Sequence, residues 1–518
     1  MHTNTMKLIG IDVGTGGTRV LLVDADGKVV GSAVREHAPF RSPQPGWAEQ
    51  DPEDWWQATI HAIPALLKET STAPEEIVAV GLSGQMHGAV LLDEHDRVLR
   101  PALIWCDQRT APEAAWLTEQ LGADRLIALT SNPALPNFTL TKLLWARNHE
   151  PALWRQFRSF LLPKDYVRFR LTGKRAMDVA DASGTLLLNV AGRRWSSEML
   201  AAVDMPESIL PRLHECHEIA GTITKEASSL TGLLAGTPVV AGAGDQAAGA
   251  LGMGIVRPGD VSATIGTSGV VFAATDQPFL DPRGRLHTFC NAVPGRWHVM
   301  GVTQAAGLSL RWFRDTFAAA DDSEAYTRLG ESASSVPAGA DGLLWAPYLM
   351  GERTPHLDPE ARGALVGLTA SHGRAHIVRA IMEGVAFSLK DTMSIFAEIG
   401  VPARAIRLGG GGARSPIWRQ IQADVYGQPV EMVAAEEGAA YGAALLAGVG
   451  AGVWPSADAA CDAVVRVAQR IVPHSADSAN LQKMYGLYRK LYPSLRPVFH
   501  GLHAEGLHAA ITDVKVDD

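Results

Sequence analysis

A strand, a glycine-rich turn and a second strand occur twice in this chain, once near the N-terminus and once past its middle. The first copy covers residues 7–24 around the turn 13–19, and the second covers residues 260–274 around the turn 266–269. Apolar runs separated by a small-residue turn are typical of β-hairpins. The repeat predicts two related halves, each opening with a hairpin, with a boundary near residues 252–258.

The size of the chain agrees with more than one domain. Its 518 residues exceed what one hydrophobic core usually holds. We expect a first domain over residues 1–254, a second over 255–495 and a polar tail over 496–518, frayed from about residue 501. Strands and helix signals alternate in both halves, so the fold class expected is α/β.

Composition excludes several partner classes. The net charge of −9 has no long blocks of one sign, which argues against a nucleic acid or an anionic membrane as partner. No apolar run approaches the ~20 residues of a membrane span, and residues 1–5 are expected to be a short disordered leader. Four cysteines lie far apart without a CxxC pair, which predicts free thiols in a reducing compartment; they are Cys106, Cys216, Cys290 and Cys461. The cytoplasm is the expected location.

Local signals place several helices beside these strands. Asp51 before Pro52 predicts one helix start, and Ser415 before Pro416 predicts another. A third helix, from residue 438, consists of small residues and is expected to pack closely against a neighbour.

The first glycine turn has the chemistry of an anion site. Its glycines allow backbone N–H groups to approach a phosphate, and Thr15 and Arg19 add donors. Asp12 beside a phosphate requires a cation between them, which implies Mg²⁺, held through water. The alternative is a tight hairpin with a capping Asp. The second turn repeats this pattern at Gly266-Thr267-Ser268-Gly269, so the two turns together predict a grip on a polyphosphate.

A third glycine-rich segment, residues 409–412, lies between a predicted strand and a predicted helix. No Gly-Lys-Ser/Thr follows it, so it is not a Walker A loop. A flat base could lie on these glycines, whereas the alternative is a plain strand-to-helix turn.

The segment 238–249 reads as GxGxxA after a strand, which resembles a dinucleotide-binding fingerprint. Asp245 would place an uncompensated carboxylate inside the pyrophosphate loop, and Asp260 precedes the next strand instead of ending it. A better interpretation is a carboxylate at a strand end that accepts a proton from a substrate hydroxyl attacking phosphorus. Gln246 would orient such hydroxyls. A helix-capping role for Asp245 is compatible with this interpretation.

The strand at residues 77–82 ends in Ser-Gly-Gln-Met-His-Gly. Gln85 and His87 offer hydrogen bonds, and Met86 offers an apolar wall, a mixture that suits a small polyol or sugar. The competing interpretation is a structural histidine with its hydrogen bonds satisfied inside the protein.

Together these motifs resemble the FGGY carbohydrate kinases over residues 6–492. Further matches are the run 363–383 and the segments Leu162-Pro163-Lys164-Asp165-Tyr166 and Gly351-Glu352-Arg353-Thr354-Pro355-His356. Gln85-Met86-His87-Gly88 is similar to the branch that acts on xylulose, whereas glycerol kinases have Arg-Glu in place of Met86-His87. Two departures are an imperfect signature at residues 137–146 and Cys106, which stands where that branch has Asn.

The resemblance implies an actin-like or ribonuclease-H-like fold in each half, an interdomain cleft, and ATP with Mg²⁺. It implies that Asp245 is the catalytic base and that Met86, His87, Gln246 and Gln85 hold the sugar. The residues that the resemblance assigns to ATP are Thr15, Gly16, Gly17, Arg19, Thr267, Gly307, Gly411 and Gly412, with Asp12 organising Mg²⁺.

The expected activity is ATP-dependent phosphorylation of D-xylulose at its 5-hydroxyl, and the family also suggests a homodimer. The first alternative is the same chemistry on ribulose, a deoxy-ketose or a pentitol. The second is an ATPase of the actin or chaperone kind, which has the phosphate turns but needs no polyol pocket. A non-catalytic sugar-binding regulator is a third, which the presence of Asp12 and Asp245 opposes.

Overall fold

The computed structural model describes residues 6–317, 324–434 and 438–506. The expected leader, residues 1–5, and the end of the expected tail, residues 507–518, lie outside the described residues. The described part alternates strands and helices throughout, with two large sheets and several short two-stranded ones.

The strands are given in chain order. They are Lys7–Val13 (β1), Gly17–Asp24 (β2), Val29–Glu36 (β3), Glu49–Gln50 (β4), Ile77–Gly84 (β5), Val90–Leu92 (β6), Ala102–Leu103 (β7), Ser159–Leu161 (β8), Ala176–Asp178 (β9), Leu188–Asn189 (β10), Arg194–Trp195 (β11), Arg212–His214 (β12), Ile219–Thr222 (β13), Pro238–Val240 (β14), Ala243–Gly244 (β15), Asp260–Ile265 (β16), Gly269–Thr275 (β17), His287–Cys290 (β18), Trp297–Thr303 (β19), Leu344–Ala346 (β20), Ala364–Val366 (β21), Ala405–Gly409 (β22), Val430–Val433 (β23) and Val467–Ile471 (β24).

The α-helices follow the same order. They are Pro52–Glu69 (α1), Ala111–Leu121 (α2), Ala123–Thr130 (α3), Thr139–His149 (α4), Pro151–Trp154 (α5), Pro163–Thr172 (α6), Val179–Ala182 (α7), Ser197–Ala202 (α8), Lys225–Thr231 (α9), Asp245–Gly252 (α10), Gly307–Phe317 (α11), Ala325–Ser334 (α12), Arg374–Glu398 (α13), Pro416–Tyr426 (α14), Gly438–Gly450 (α15), Ala457–Val464 (α16), Ser475–Tyr488 (α17) and Leu491–Ala504 (α18).

The two large sheets have the same organisation, so the predicted repeat is confirmed. In the first, β1 pairs antiparallel with β2 and parallel with β5. In the second, β16 pairs antiparallel with β17 and parallel with β22. The central strands β1 and β16 are largely buried on both faces, as sheets covered by helices require. The expected two-domain α/β fold is present.

The two predicted helix starts are confirmed. The Asp51 carboxylate accepts the backbone N–H of Glu53 at the start of α1. The Ser415 hydroxyl accepts the backbone N–H of Trp418 at the start of α14. Each cap satisfies one of the N–H groups that a helix leaves unpaired at its N-terminus.

The small-residue helix α15 packs closely, as predicted, but against the first sheet. A Cβ at Gly10 of β1 would lie 1.9 Å from the Ala440 carbonyl oxygen, and one at Gly81 of β5 would lie 2.0 Å from that of Ala443. The two strands therefore need glycine where α15 crosses them. The division at residue 254 stays a prediction, and α15 lies beyond it in sequence while covering the first sheet in space.

The C-terminal helix corrects one expectation. The tail is helical through Ala504, so the prediction of fraying from about residue 501 is wrong that far. Leu491 and Phe499 are buried in the core of the second half. His500 Nε2 lies 2.9 Å from Asp358 Oδ2 and His503 Nε2 lies 3.3 Å from Glu360 Oε1, and these contacts hold the last turns of α18 in place.

Candidate active site

Three parallel strands of the first sheet end side by side. Ser83 of β5 lies opposite Asp12 of β1 and Ala243 of β15, and the next residue, Gly84, lies opposite Val13 and Gly244. Because the carboxyl ends of parallel strands share one edge, the segments that follow them meet there. Those segments are the first glycine turn, residues 85–87 and Asp245.

The first glycine turn is held from outside by side chains. The Gly14 N–H donates to the Gly17 carbonyl over 3.0 Å. The Trp105 indole N–H donates to the Thr15 hydroxyl oxygen at 2.9 Å, and the Gln50 amide donates to the Thr15 carbonyl at 2.7 Å. The turn is thereby fixed before any ligand binds.

The remaining predicted residues of this turn lie beside it. The Gly16 carbonyl accepts the His37 N–H at 2.9 Å. A Cβ at Gly17 would lie 2.8 Å from the Arg35 carbonyl oxygen, so this position needs glycine. Arg19 is exposed on β2, in register with Asp12 on β1.

The second glycine turn contains Thr267 and lies beside Gly307, two other residues predicted to bind the nucleotide. The Gly307 N–H donates to the Gly266 carbonyl at 2.8 Å, and the Leu308 N–H donates to that of Thr267 at 3.1 Å. A Cβ at Gly307 would lie 2.3 Å from the Gly266 oxygen. The N-terminus of α11 therefore rests directly on this turn, which helix dipoles make favourable for phosphate.

The third glycine segment lies against the same place. A Cβ at Gly412 would lie 2.6 Å from Cβ of Ile265, which ends β16 just before the second turn. Gly410 has φ of 73°, a left-handed conformation that favours glycine. The structure therefore brings Thr267, Gly307 and residues 410–412 together.

Asp245 is the first residue of α10, and Gly244 is the N-cap. The suggestion that Asp245 is itself the cap is therefore wrong, because its own backbone is already helical. A Cβ at Gly244 would lie 2.9 Å from Cγ of Met86 and 3.1 Å from Oδ1 of Asp181. Asp245 and Gln246 are half-buried. A carboxylate in the first turn of a helix is stabilised in its ionised form by the helix dipole.

His87 is buried and has a left-handed φ of 67°. Its Nδ1 lies 3.0 Å from the Gly184 carbonyl oxygen, so Nδ1 carries the proton and Nε2 is left as an acceptor. Burial, together with the charge of Lys142, lowers the pKa of His87 to about 3. The ring is therefore neutral at physiological pH.

The Gln85 side chain is held by hydrogen bonds to residues beside the first glycine turn. Its amide nitrogen donates to Gln50 Oε1 at 2.8 Å and to the Gly14 carbonyl at 3.3 Å. The Thr15 hydroxyl lies 3.5 Å from Gln85 Oε1. These contacts brace the first glycine turn, and the sugar-binding role of Gln85 stays a prediction.

Comparison with known proteins decides the family. The FGGY family of carbohydrate kinases matches with its N-terminal domain over residues 7–252 and with its C-terminal domain over residues 261–451. The chain belongs to the FGGY family of carbohydrate kinases. The predicted family is confirmed, and so is the class of enzyme.

Individual relatives of this FGGY kinase span nearly its whole length. A xylulose kinase of Bacillus subtilis (strain 168) is 40% identical over 485 residues, which cover 94% of this chain and 96% of the relative. A gluconokinase of the same strain is 32% identical over 471 residues, covering 89% and 90%. The solved xylulose kinase structure from Rhodospirillum rubrum is 34% identical with a TM-score of 0.89, covering 95% of this chain and 100% of that one.

The FGGY kinase uses ATP with a divalent metal ion, typically Mg²⁺. The residues at and after the carboxyl ends of β1, β5 and β15 suit ATP and a divalent ion. Asp12 offers oxygen donors of the kind that Mg²⁺ prefers, and the N-terminus of α11 rests on the second glycine turn, where a helix end favours phosphate. Among the described residues, no helix is long and apolar enough to span a bilayer.

Two cations near the Met86-His87 segment were missed from the sequence. Lys142 is fully buried, and its ammonium donates to the carbonyls of His87 at 2.7 Å and Asn137 at 2.6 Å. Burial lowers the pKa of Lys142 to about 7, against the charge of Asp107, which raises it. Lys142 therefore holds the unusual backbone of His87. Its signal in the sequence was a charged residue inside the largely apolar segment 140–146 of α4.

The second cation is Arg353, which comes from the second half of the chain. Its charge helps to lower the pKa of His87, so it lies within electrostatic reach of that ring. Glu352 anchors the segment, because its carboxylate accepts the Gln304 N–H at 3.0 Å and the Arg353 N–H at 2.8 Å. The Gly-Glu-Arg-Thr-Pro-His motif marked this segment in the sequence without giving it a role.

A buried ionic cluster lies next to Gly244, the residue that precedes Asp245. We call it the Lys164 cluster; its members are Lys164, Asp165, Arg168, Asp178 and Asp181, all with no exposed side-chain surface. Lys164 Nζ lies 2.6 Å from Asp165, 2.5 Å from Asp178 and 3.3 Å from Asp181. Burial would lower the pKa of Lys164, but the three carboxylates outweigh burial and raise it.

The Lys164 cluster has more carboxylates than cations. Burial raises the pKa of Asp181 well above its usual range, against the charge of Lys164, and so favours the protonated form of this carboxyl. Arg168 also donates to the carbonyl of Ala241, on the segment that leads to Asp245. The cluster therefore supports the backbone on which the predicted base is mounted.

Proposed function

We propose that this kinase transfers the γ-phosphoryl group of ATP to the 5-hydroxyl of D-xylulose. The observation that carries the proposal is the meeting of three segments at one sheet edge: the first glycine turn, Met86-His87 and Asp245. The relatives named xylulose kinase support the choice of sugar.

Asp245 acts as the general base in this proposal. Phosphoryl transfer needs a group that accepts the proton of the attacking hydroxyl while the oxygen attacks phosphorus in line. The carboxylate of Asp245 is on the first residue of α10, where the dipole of a helix favours negative charge. Gln246, the next residue, orients the sugar hydroxyls.

Met86 and His87 hold the sugar. The neutral His87 ring offers Nε2 to a sugar hydroxyl, because Nδ1 donates to the Gly184 carbonyl. Met86 contacts Gly244 and gives the pocket an apolar wall beside Asp245. Because Lys142 and Gly184 fix the His87 backbone and ring, this acceptor is oriented before the sugar binds.

The two glycine turns hold the phosphates from both halves of the protein. The residues of the first half that would hold them are Thr15, Gly16, Gly17 and Arg19, and the residue of the second half is Thr267. The adenosine would lie near Gly307, Gly411 and Gly412. Asp12 would hold Mg²⁺ through water, and the ion supplies neutralisation of charge between this carboxylate and the phosphates. Closure of the domains over the sugar would exclude water and limit ATP hydrolysis. A cytoplasmic location and a homodimer stay predictions.

The test is ATP consumption with a panel of acceptors in the presence of Mg²⁺. The panel contains D-xylulose, D-ribulose, L-ribulose, D-xylose, xylitol, glycerol, gluconate and no acceptor. We expect the highest kcat/KM on D-xylulose. A higher value on gluconate or another polyol would refute the choice of sugar while leaving the kinase chemistry intact. Equal turnover without any acceptor would indicate the ATPase alternative instead.

A further inference from the structure

Two histidines and two carboxylates converge where α18 meets the loop after β20. His500 and His503 lie three residues apart on α18, and therefore on one face of the helix. Asp358 and Glu360 lie in the facing loop. His500 Nε2 lies 2.9 Å from Asp358 Oδ2 and 3.7 Å from Glu360 Oε2, and His503 Nε2 lies 3.3 Å from Glu360 Oε1.

These separations are those of donor atoms around one ion. Bonds of 2.0–2.2 Å in a tetrahedral site place neighbouring ligand atoms about 3.4 Å apart. The ligand atoms of Asp358, Glu360 and His500 all lie within 4.8 Å of one another. His503 lies outside this group of three and reaches it through its 3.3 Å contact with Glu360 Oε1.

The donor types select the class of ion. Imidazole nitrogens suit Zn²⁺ and its neighbours among the transition metals, whereas Mg²⁺ and Ca²⁺ prefer all-oxygen sites. We propose that Asp358, Glu360, His500 and His503 bind one divalent transition-metal ion of the Zn²⁺ type in a four-coordinate structural site. This site has no residue in common with the predicted Mg²⁺ and ATP sites.

The surroundings of the carboxylates support ligation. The Tyr492 hydroxyl donates to Asp358 Oδ2 at 2.7 Å, and the Glu360 N–H donates to Asp358 Oδ1 at 2.8 Å. Outer contacts of this kind orient metal ligands in proteins. Asp358 is buried, whereas the two histidines are partly exposed, so an ion has a path to the site.

The bound ion would tie α18 to a loop that reaches the active site. Asp358 and Glu352 exchange both backbone hydrogen bonds, at 2.8 Å and 2.9 Å. Glu352 is followed by Arg353, whose charge reaches His87. We therefore expect the metal to stabilise the C-terminal helix and this loop together.

The test is equilibrium dialysis of the untagged, chelator-treated full chain against Zn²⁺, without ATP or sugar. We expect one Zn²⁺ per chain with a dissociation constant of about 10 µM or tighter. The double substitution His500→Gln and His503→Gln removes two ligands and should weaken binding at least about tenfold, the smallest loss that even a changed outer-shell partner typically produces. His474→Gln is the matched control, because His474 is another exposed histidine beside two carboxylates and should leave binding unchanged.

A second measurement covers a variant that fails to fold. Co²⁺ added to the wild-type protein should give the visible absorption of a four-coordinate site, and one equivalent of Zn²⁺ should abolish it. Zn²⁺ should also raise the melting temperature of the wild type and of the His474→Gln protein, but not that of the double variant. Binding weaker than about 100 µM, or binding lost in the control and kept in the double variant, would overturn the proposal.

Discussion

Gly442 of α15 is the position where a single methyl group should disturb Asp245. A Cβ at Gly442 would lie 1.8 Å from the carbonyl oxygen of Ala248 and 2.6 Å from its carbonyl carbon. Ala248 lies in α10, three residues after Asp245. Ordinary contact starts at 3.4 Å, so Gly442→Ala requires α10 and α15 to separate by about 1.6 Å.

The size of this movement sets the expected loss. Overpacking of this kind typically costs about 1–3 kcal/mol of unfolding free energy. A displacement of about 1 Å of a reacting group costs about 100-fold in rate. We therefore expect Gly442→Ala to lower kcat on D-xylulose about 100-fold. The KM values for sugar and ATP should change less, because the glycine turns and Met86-His87 belong to other elements.

The assays are steady-state kinetics and urea unfolding of the same preparations. Gly249→Ala is the control, because it adds a methyl group within α10 itself, and the nearest atom to the new Cβ is 4.0 Å away. The control should keep its kcat and gain up to about 1 kcal/mol from helix propensity. If Gly442→Ala keeps kcat within twofold of the wild type, the close packing of the two helices does not position Asp245, and the reasoning fails.

Three further predictions concern the nucleotide site and the buried charges. Gly307→Ala should raise the KM for ATP at least about tenfold without raising the KM for D-xylulose, because the new Cβ would lie 2.3 Å from the Gly266 carbonyl oxygen. Steady-state kinetics with each substrate varied in turn measure both KM values. Asp181→Asn should change the unfolding free energy by less than about 1 kcal/mol, because burial raises the pKa of this carboxyl and favours its neutral form. Asp165→Asn should instead cost about 3–5 kcal/mol, because it breaks a buried ion pair with Lys164. Urea unfolding at pH 7 compares the two variants. Burial lowers the pKa of His298 to about 3, so its stabilising contribution is present above pH 6.5 and is lost as the pH falls through 6.5 towards 3. His298→Phe should therefore reduce the change in unfolding free energy measured between pH 6.5 and pH 5.5 by about 1 kcal/mol.

The local elements were predictable because their signals lie within a few residues. The hairpin of β1 and β2, the caps of α1 and α14 and the strand β5 all follow from turn residues and apolar runs next to them. The repeat was predictable for the same reason, since both copies carry the same turn chemistry. The position of Asp245 at a strand end needed only the small residues around it.

The rest depends on contacts between distant segments. The sequence gives no sign that α15 would cover the first sheet, since only the folded chain brings Gly442 to Ala248. Gln85 was predicted to bind sugar, and only the folded chain shows that its amide also donates to Gln50, which lies 35 residues away in the sequence. Lys142 and Arg353 were likewise missed, because their roles arise only when segments far apart in the sequence meet near His87.

The most direct test of the account is Asp245→Asn, with sugar binding and phosphoryl transfer measured on the same protein. The amide has the shape of the carboxylate but accepts no proton at neutral pH. We expect D-xylulose to bind within a few-fold of wild-type affinity by calorimetry, while kcat falls at least about 100-fold. Near-normal turnover in Asp245→Asn would contradict the assignment of the base and with it the mechanism proposed for this kinase.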